Sequence, residues 1–378
     1  MVNLLAMFVG ILVSSGAAAR GGTTEVRFTE RQIRWMQSGY KLMFALMLIG
    51  YAIWVFNALR QGVGPAQLAS VLERNVGAIS DLKADLTPIG GVTTLTQFGP
   101  VVIVLGFILH KLGYAKRWYW LVLVLASVRF VFYAERLALI EVLVPLILIA
   151  ALTIRPGQRF YRLVRLGPIL AGPLLWALFA VSEYNRSWVF YQSTTTIPFE
   201  QWVTLRLIGY YTTSYNNSAL LYDALIGSSA PPYYSITAFW NAPGVEQALP
   251  YPGILGMSPG VWWDTILKSA ANPEFTNNGS FLMTSAEMGT PASLLYWFVT
   301  GVIIGAVFVA MTRGSLPGLL ATVTLFIGLL ELPRLVYWSL GRTTPFVIAL
   351  LFFALFYPRT ATARRRQLPG AYRDLIEN

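Results

Sequence analysis

The chain has no cysteine and a single histidine, His110, among its 378 residues. The first absence excludes disulfides and thiolate metal sites, and the second excludes histidine-rich metal motifs and argues against a zinc centre. Charge is scarce as well. Only 12% of residues are charged, against about 25% in soluble domains. With 56% hydrophobic residues and a mean hydropathy of +0.58, the chain reads as an all-α polytopic membrane protein. It carries no P-loop, no dinucleotide glycine fingerprint, no internal repeat and no low-complexity tract. Cytoplasmic ATP is therefore not an energy source for this chain alone. The net charge of +11 reads as cytoplasmic-loop charge, not as a nucleic-acid surface.

A spanning helix needs about 20 apolar residues. Nine such runs are expected, at about 2–19, 39–58, 95–112, 118–133, 137–154, 166–182, 292–311, 317–333 and 343–357. Basic residues collect in the loop 20–38, at Lys111, Lys116 and Arg117, at Arg155 to Arg165, at Arg313 and in the C-terminal tail. The positive-inside rule makes these faces cytoplasmic, with the N-terminus outside and the C-terminus inside. Met1–Ala19 ends in a small-residue stretch like a signal-peptidase site. It lacks a basic start and positive charge follows it, so it is expected to be a retained span.

Two outer segments are long. Residues 60–91 place Leu68, Val71, Leu72, Val76 and Ile79 at near-helical spacing and read as a short amphipathic helix lying on the membrane. Residues 183–291 form a large loop, too long to be structureless. Within it, 199–225 reads as helical but broken near Thr212–Asn217, 228–260 as irregular, and 261–270 as a short helix. The chain is expected to be one membrane domain, 1–378, with 183–291 as its cap.

Several polar groups fall on the outer face, where basic residues are usually scarce. Glu135 and Arg136 lie where two spans meet, and a continuous helix would stack Arg129, Tyr133 and Arg136 on one side. Glu141 follows inside the next span, where an ionisable residue is costly and usually faces a cavity or a partner. The plain alternative is a structural Arg–Glu pair, or arginines snorkelling to headgroups. Planar arginine grips phosphate oxygens in bidentate fashion and keeps its charge. The cluster therefore suits an anionic, membrane-borne substrate such as one with a diphosphate leaving group. Arg206 precedes a run rich in hydroxyls and amides that holds Tyr210, Tyr211, Tyr215, Asn216 and Asn217, groups suited to sugar hydroxyls. Trp202, Trp240, Trp262 and Trp263 have the flat faces that stack on sugars, although Trp and Tyr also gather at membrane interfaces. Asn277, Asn278 and Glu287 sit at the mouth of the seventh span, in what is otherwise a capped helix start. Arg334 can pair with Glu331 three residues earlier, and Arg342 opens the last span. His110, beside Lys111, reads as an interface residue.

The stretch 129–141, the Tyr215 to Ser218 segment in a large outer loop, and the stretch 278–289 together resemble the bacterial oligosaccharide-repeat-unit polymerases of the Wzy type. More distantly they resemble the O-antigen ligases. Asn278 stands at the position of the ligase catalytic histidine and Gly279 at that of the following asparagine, which argues against ligase chemistry.

The resemblance implies a metal-independent, cofactor-free membrane glycosyltransferase with a GT-C-like fold in the bacterial inner membrane. Its substrate would be an undecaprenyl-diphosphate-linked oligosaccharide, and a chain-length regulator would be a partner. Arg136 and Arg129 would hold the diphosphate. Glu135, Glu141 or Glu287 would activate the acceptor hydroxyl. Arg206, Tyr210, Tyr211, Tyr215, Asn216, Asn217, Asn278, Arg334 and Arg342 would line the substrate site. A lipid-linked oligosaccharide flippase is the alternative of another class. It fits less well, because no repeat is visible and the polar groups concentrate on one face.

Overall fold

The computed structural model describes residues 1–16, 27–86, 89–133, 135–154, 157–158, 160–228, 230–242, 244–358 and 365–367. The end of the small-residue stretch, Arg20, Arg155, Arg159 and most of the basic tail lie outside the described residues. In chain order the helices are α1 (Val2–Gly16), α2 (Glu30–Arg60), α3 (Pro65–Leu72), α4 (Ala78–Asp85), α5 (Gly99–Lys111), α6 (Trp120–Phe132), α7 (Arg136–Thr153) and α8 (Tyr161–Arg165). There follow α9 (Gly167–Glu183), α10 (Val189–Tyr191), α11 (Phe199–Leu225), α12 (Thr237–Trp240), α13 (Val245–Ala248), α14 (Pro259–Ala270), α15 (Phe281–Thr312), α16 (Leu316–Glu331) and α17 (Thr344–Phe356). The strands described are β1 (Arg27–Thr29) and β2 (Arg365–Gln367), antiparallel with Phe28 opposite Arg366.

The chain is an all-α membrane protein. Four segments are long and apolar enough to cross a bilayer: Glu30–Arg60, Thr93–Lys111, Arg136–Thr153 and Phe281–Thr312. Shorter apolar helices at Val2–Gly16, Gly167–Glu183, Leu316–Glu331 and Gly341–Phe356 coincide with four more of the expected runs. The run at 118–133 yields only the 13-residue α6, preceded by a 3-10 turn. By its contacts the structure divides into two compact units, Met1–Gly22 with Ile208–Thr344, and Thr23–Leu207 with Pro345–Asn378.

The first unit is organised by α1 lying along α15. Contact is close because the facing residues are small. A Cβ on Gly301 would stand 2.0 Å from the Met7 carbonyl oxygen, and one on Gly10 would stand 2.2 Å from that of Phe298. Two backbones approach this closely only where side chains are absent, as in small-residue helix pairs within membranes. Asn3 adds a polar tie, donating to the Phe281 carbonyl at 2.6 Å and to Ser285 Oγ at 2.8 Å. The helix α15 is kinked at Gly289, whose φ of 75° and ψ of 160° suit glycine alone, and Pro291 follows. Around it, Trp262, Trp263, Trp297, Met283, Leu221 and Val336 form the core.

In the second unit α5 is the central rod. Every residue from Val101 to Leu105 is 0% exposed, and α2, α6 and α7 pack around it. The expected amphipathic helix of 60–91 is two helices, α3 and α4. Val71, Ile79, Leu82 and Leu86 bury their side chains with Ala58 and Val63, beside Trp54, Phe132 and Tyr133. Of the residues read as one apolar face, Val71 and Ile79 are buried and Leu68 packs against them, while Leu72 and Val76 are exposed, because Gly77, in the left-handed region at φ 85°, starts a new helix.

Replacing Gly301 by alanine is expected to lower the thermal midpoint in detergent, at a cost of about 1–3 kcal/mol from overpacking. Gly172→Ala, with nothing within 4 Å of its added Cβ, is expected to leave the midpoint unchanged or slightly higher. Equal midpoints for the two variants would show that the α1–α15 contact is not close-packed.

Candidate functional site

In the second unit the polar residues converge on Glu183. This carboxylate ends α9, which is apolar almost throughout, and it is 0% exposed. A carboxylate taken out of water needs polar or ionic partners, and arginines supply them. Arg206 Nε of α11 lies 2.6 Å from Glu183 Oε2, Arg136 Nη1 of α7 lies 3.1 Å from Oε1, and Arg186 Nη1 lies 3.9 Å from Oε1. Arg186 reaches back because Tyr184–Trp188 forms a π-turn after α9, a local insertion frequent at functional sites. Rings frame the guanidinium groups. Arg136 sits 4.3 Å over Phe179, and Arg206 sits 5.2 Å over Trp202.

Arg129 is the neighbour of this cluster and pairs with Glu135. It also donates to Thr96 Oγ1 at 3.0 Å. The two apolar runs that meet here are separate helices, α6 ending at Phe132 and α7 beginning at Arg136, so no continuous helix stacks Arg129, Tyr133 and Arg136 on one side. The two arginines therefore take different carboxylates instead of stacking on one face. Arg136 is the first residue of α7, where a cation opposes the helix dipole. Glu135 precedes it at the N-cap position without capping the helix by its side chain. Glu141 is buried within α7, 1% exposed.

Two cations not foreseen from the sequence join the group. Lys83 of α4 has its pKa lowered by burial first and by the charge of Arg186 next, with Arg136 adding to the effect and Glu135 and Glu183 opposing it. The Arg74 guanidinium lies 4.9 Å over the ring of Tyr184, the residue after Glu183. Glu183 and Arg186 were equally missed. The available signal was an acidic residue ending an apolar run with arginine three positions on, but such charges usually belong to a solvated loop.

The first unit holds the remaining candidates. Glu287 is not a free base. Its Oε1 accepts from the backbone N–H of Tyr233 at 2.8 Å and of Tyr234 at 2.5 Å, and its Oε2 accepts from the Ser235 N–H at 2.8 Å and the Ser235 hydroxyl at 2.5 Å. Four bonds use the accepting capacity of a carboxylate, so Glu287 is a clasp on the segment 228–260 and not a group open to an acceptor hydroxyl. Beside it, burial and the Glu287 charge push the Tyr251 hydroxyl up to about 12, with a further contribution from Tyr233. The same two causes, in the same order, raise Tyr234.

Helix α11 runs unbroken through Thr212–Asn217, contrary to the expected break. Asn217 donates to the carbonyls of Phe275 at 2.7 Å and Asn277 at 2.8 Å, and Ser218 donates to that of Asn278 at 2.8 Å. Asn217 is thus a buried brace, not a sugar ligand. Tyr210 is buried edge-on to Phe275, Tyr211 is half-buried, and Tyr215 and Asn216 are exposed. Arg334 pairs with Glu331 at 2.7 Å, approaches Asn277 Oδ1 at 3.5 Å and lies 5.5 Å over Tyr210. Arg342 is half-buried in the 3-10 turn before α17. Trp240, Trp262 and Trp263 are buried, and half-buried Trp202 packs with Trp188, Tyr191 and Phe199 under the Arg206 guanidinium, so none of the four is a free stacking surface. His110 Nδ1 donates to the Ala115 carbonyl at 3.1 Å, closing the turn after α5.

The structure thus gathers Arg129, Glu135, Arg136 and Arg206 in one unit and keeps Tyr210, Asn278, Glu287, Arg334 and Arg342 in the other. No protein-family model, curated protein or solved structure matches the chain.

Both Glu287→Ala and Glu287→Gln are expected to loosen the segment 228–260. Alanine strands three backbone donors, and glutamine turns an N–H₂ group toward donors. Chymotrypsin is expected to cut between Ser228 and Gly260 about tenfold faster or more in either variant. Unchanged cleavage would remove the clasp.

Proposed function

We propose that the chain is a metal-independent glycosyltransferase that joins undecaprenyl-diphosphate-linked oligosaccharide units at the outer face of the bacterial inner membrane. In this reading it has nine spans in a GT-C-like arrangement, with the N-terminus periplasmic. The observation that carries it is the set of arginines converging on buried Glu183. With Lys83 nearby, cations exceed carboxylates there, which suits a group bearing two negative charges.

The chemistry follows from charge. An acceptor hydroxyl attacks the anomeric carbon of the donor sugar, the bond from that carbon to the diphosphate oxygen breaks, and undecaprenyl diphosphate leaves. Arg136, Arg186 and Arg206 stabilise the charge that grows on the leaving oxygen. The first turn of α7 adds N–H donors at the same place. The hydroxyl proton needs an acceptor. Of the expected bases, Glu287 is committed to its clasp and Glu141 is buried. Glu135, with 18% of its side chain exposed beside Arg129, is the base in this reading.

A strain lacking the chain, complemented with variants, provides the test through surface-polysaccharide length and lipid-linked intermediates. Arg136→Ala and Arg206→Ala are each expected to reduce elongation about a hundredfold while the protein remains in the membrane, leaving single units at the surface. Arg136→Lys is expected to stay impaired, since a point charge does not replace the bidentate fork. Full elongation in Arg136→Ala would exclude the cluster as the site. Single units trapped inside the cell in the deletion strain would indicate a flippase, and long lipid-linked polymer without a final acceptor would indicate a ligase.

A further inference from the structure

The α3–α4 cap presents its two cations to a place already crowded with positive charge. Its apolar side secures it: Val71, Ile79, Leu82 and Leu86 pack with Ala58 and Val63 beside Phe132 and Tyr133. From this base Lys83 reaches over the Tyr133 ring, 5.4 Å from its centroid, and senses Arg186 and Arg136 as repelling charges, with Glu135 and Glu183 attracting it in part. Arg74 lies between the two helices with φ 63°, a left-handed conformation that is uncommon and unfavourable for a residue with a side chain. That conformation places its guanidinium 4.9 Å over Tyr184, directly after Glu183. A strained backbone and a like-charge approach in one short cap are local costs, and costs of this kind concentrate at functional sites.

An anion between the cap and the arginines turns the repulsion into attraction. We propose that Lys83 and Arg74 are ligands for a diphosphate-type anion held by Arg136, Arg186 and Arg206, and that the bound anion fastens the cap. The proposal rests on reading the Glu183 cluster as a phosphate site. It adds the cap to that site and makes cap order depend on the ligand. The occupant is defined by chemistry: two linked phosphoryl groups offer enough oxygens for cations from both sides, which a single carboxylate does not.

Inorganic pyrophosphate is the probe, titrated onto the full-length protein in detergent while backbone hydrogen exchange is followed over 65–85. The wild type is expected to bind it and to slow exchange across the cap. Lys83→Met is expected to bind about tenfold more weakly or worse and to lose the protection, while Lys83→Arg keeps both. Arg74→Gly provides a variant not open to a folding objection. Glycine relieves the left-handed conformation, so the thermal midpoint is expected to hold or rise while affinity falls. Undiminished binding in Lys83→Met and Arg74→Gly, with no cap protection in the wild type, would overturn the cap's role and leave the arginine site intact. No pyrophosphate binding by the wild type would overturn both.

Discussion

One buried carboxylate organises the second unit. Glu183 has no access to solvent, and a carboxylate so placed is tolerable only when ionic partners replace its hydration. Three arginines do so, and they come from α7, from the π-turn and from α11. A single charge therefore fixes the start of one helix, the end of another and the rotation of a third. Breaking a buried pair of this kind costs about 3–5 kcal/mol, because the remaining charge is stranded. The converse holds too. Without Glu183 the arginines would repel one another, and Arg136 would stand uncompensated at the positive end of the α7 dipole.

Glu287 shows what a buried glutamate does when, among the described residues, backbone N–H groups and not cations meet it. Its oxygens are filled by backbone N–H groups and a hydroxyl from three consecutive residues, Tyr233 to Ser235. These donors lie in an irregular segment whose polar backbone would otherwise lack partners. The result is a mechanical joint: the segment is fixed to α15 just before the Gly289 kink. Glu183 closes an apolar helix, and Glu287 lies in the short first segment of one, before its kink. What separates them is the partner, and the partners lie far along the chain.

That separation explains how much of the molecule is legible in the sequence. Apolar runs are local, so eight of the expected spans reappear as apolar helices near their predicted places. Arg136 and Arg206 are legible for a related reason, because a cation beside an apolar run is conspicuous. Glu183, Arg186, Lys83 and Arg74 are not, since charges in a polar connection normally face water. Only the fold brings Arg136 and Arg206 to Glu183. Thr212–Asn217 reads as a helix break because Ser, Thr and Asn compete for backbone bonds. In the structure Thr213 bonds the Gly209 carbonyl one turn back, and Asn217 bonds carbonyls near Phe275. The competing groups are satisfied elsewhere, so the helix continues. Tertiary partners decide this segment, and propensity does not record them.

The same carboxylate that assembles the arginines also sets the terms for any ligand. Glu183 already draws on Arg136, Arg186 and Arg206, so a weak monoanion gains little by competing with it. A group with two charges and several oxygens does not need to displace it. The guanidinium has five N–H donors in a planar fork, and a partner on one edge leaves the other edge's geometry intact. In the proposed function Glu183 is a fixed counter-charge that allows cations to be gathered before the ligand arrives, which reduces the reorganisation needed when charge develops. Arginine suits this arrangement better than lysine because its charge is permanent and its fork is rigid. The one lysine in the group, Lys83, has its pKa lowered by burial and by those arginines. A negative partner there would favour its charged form.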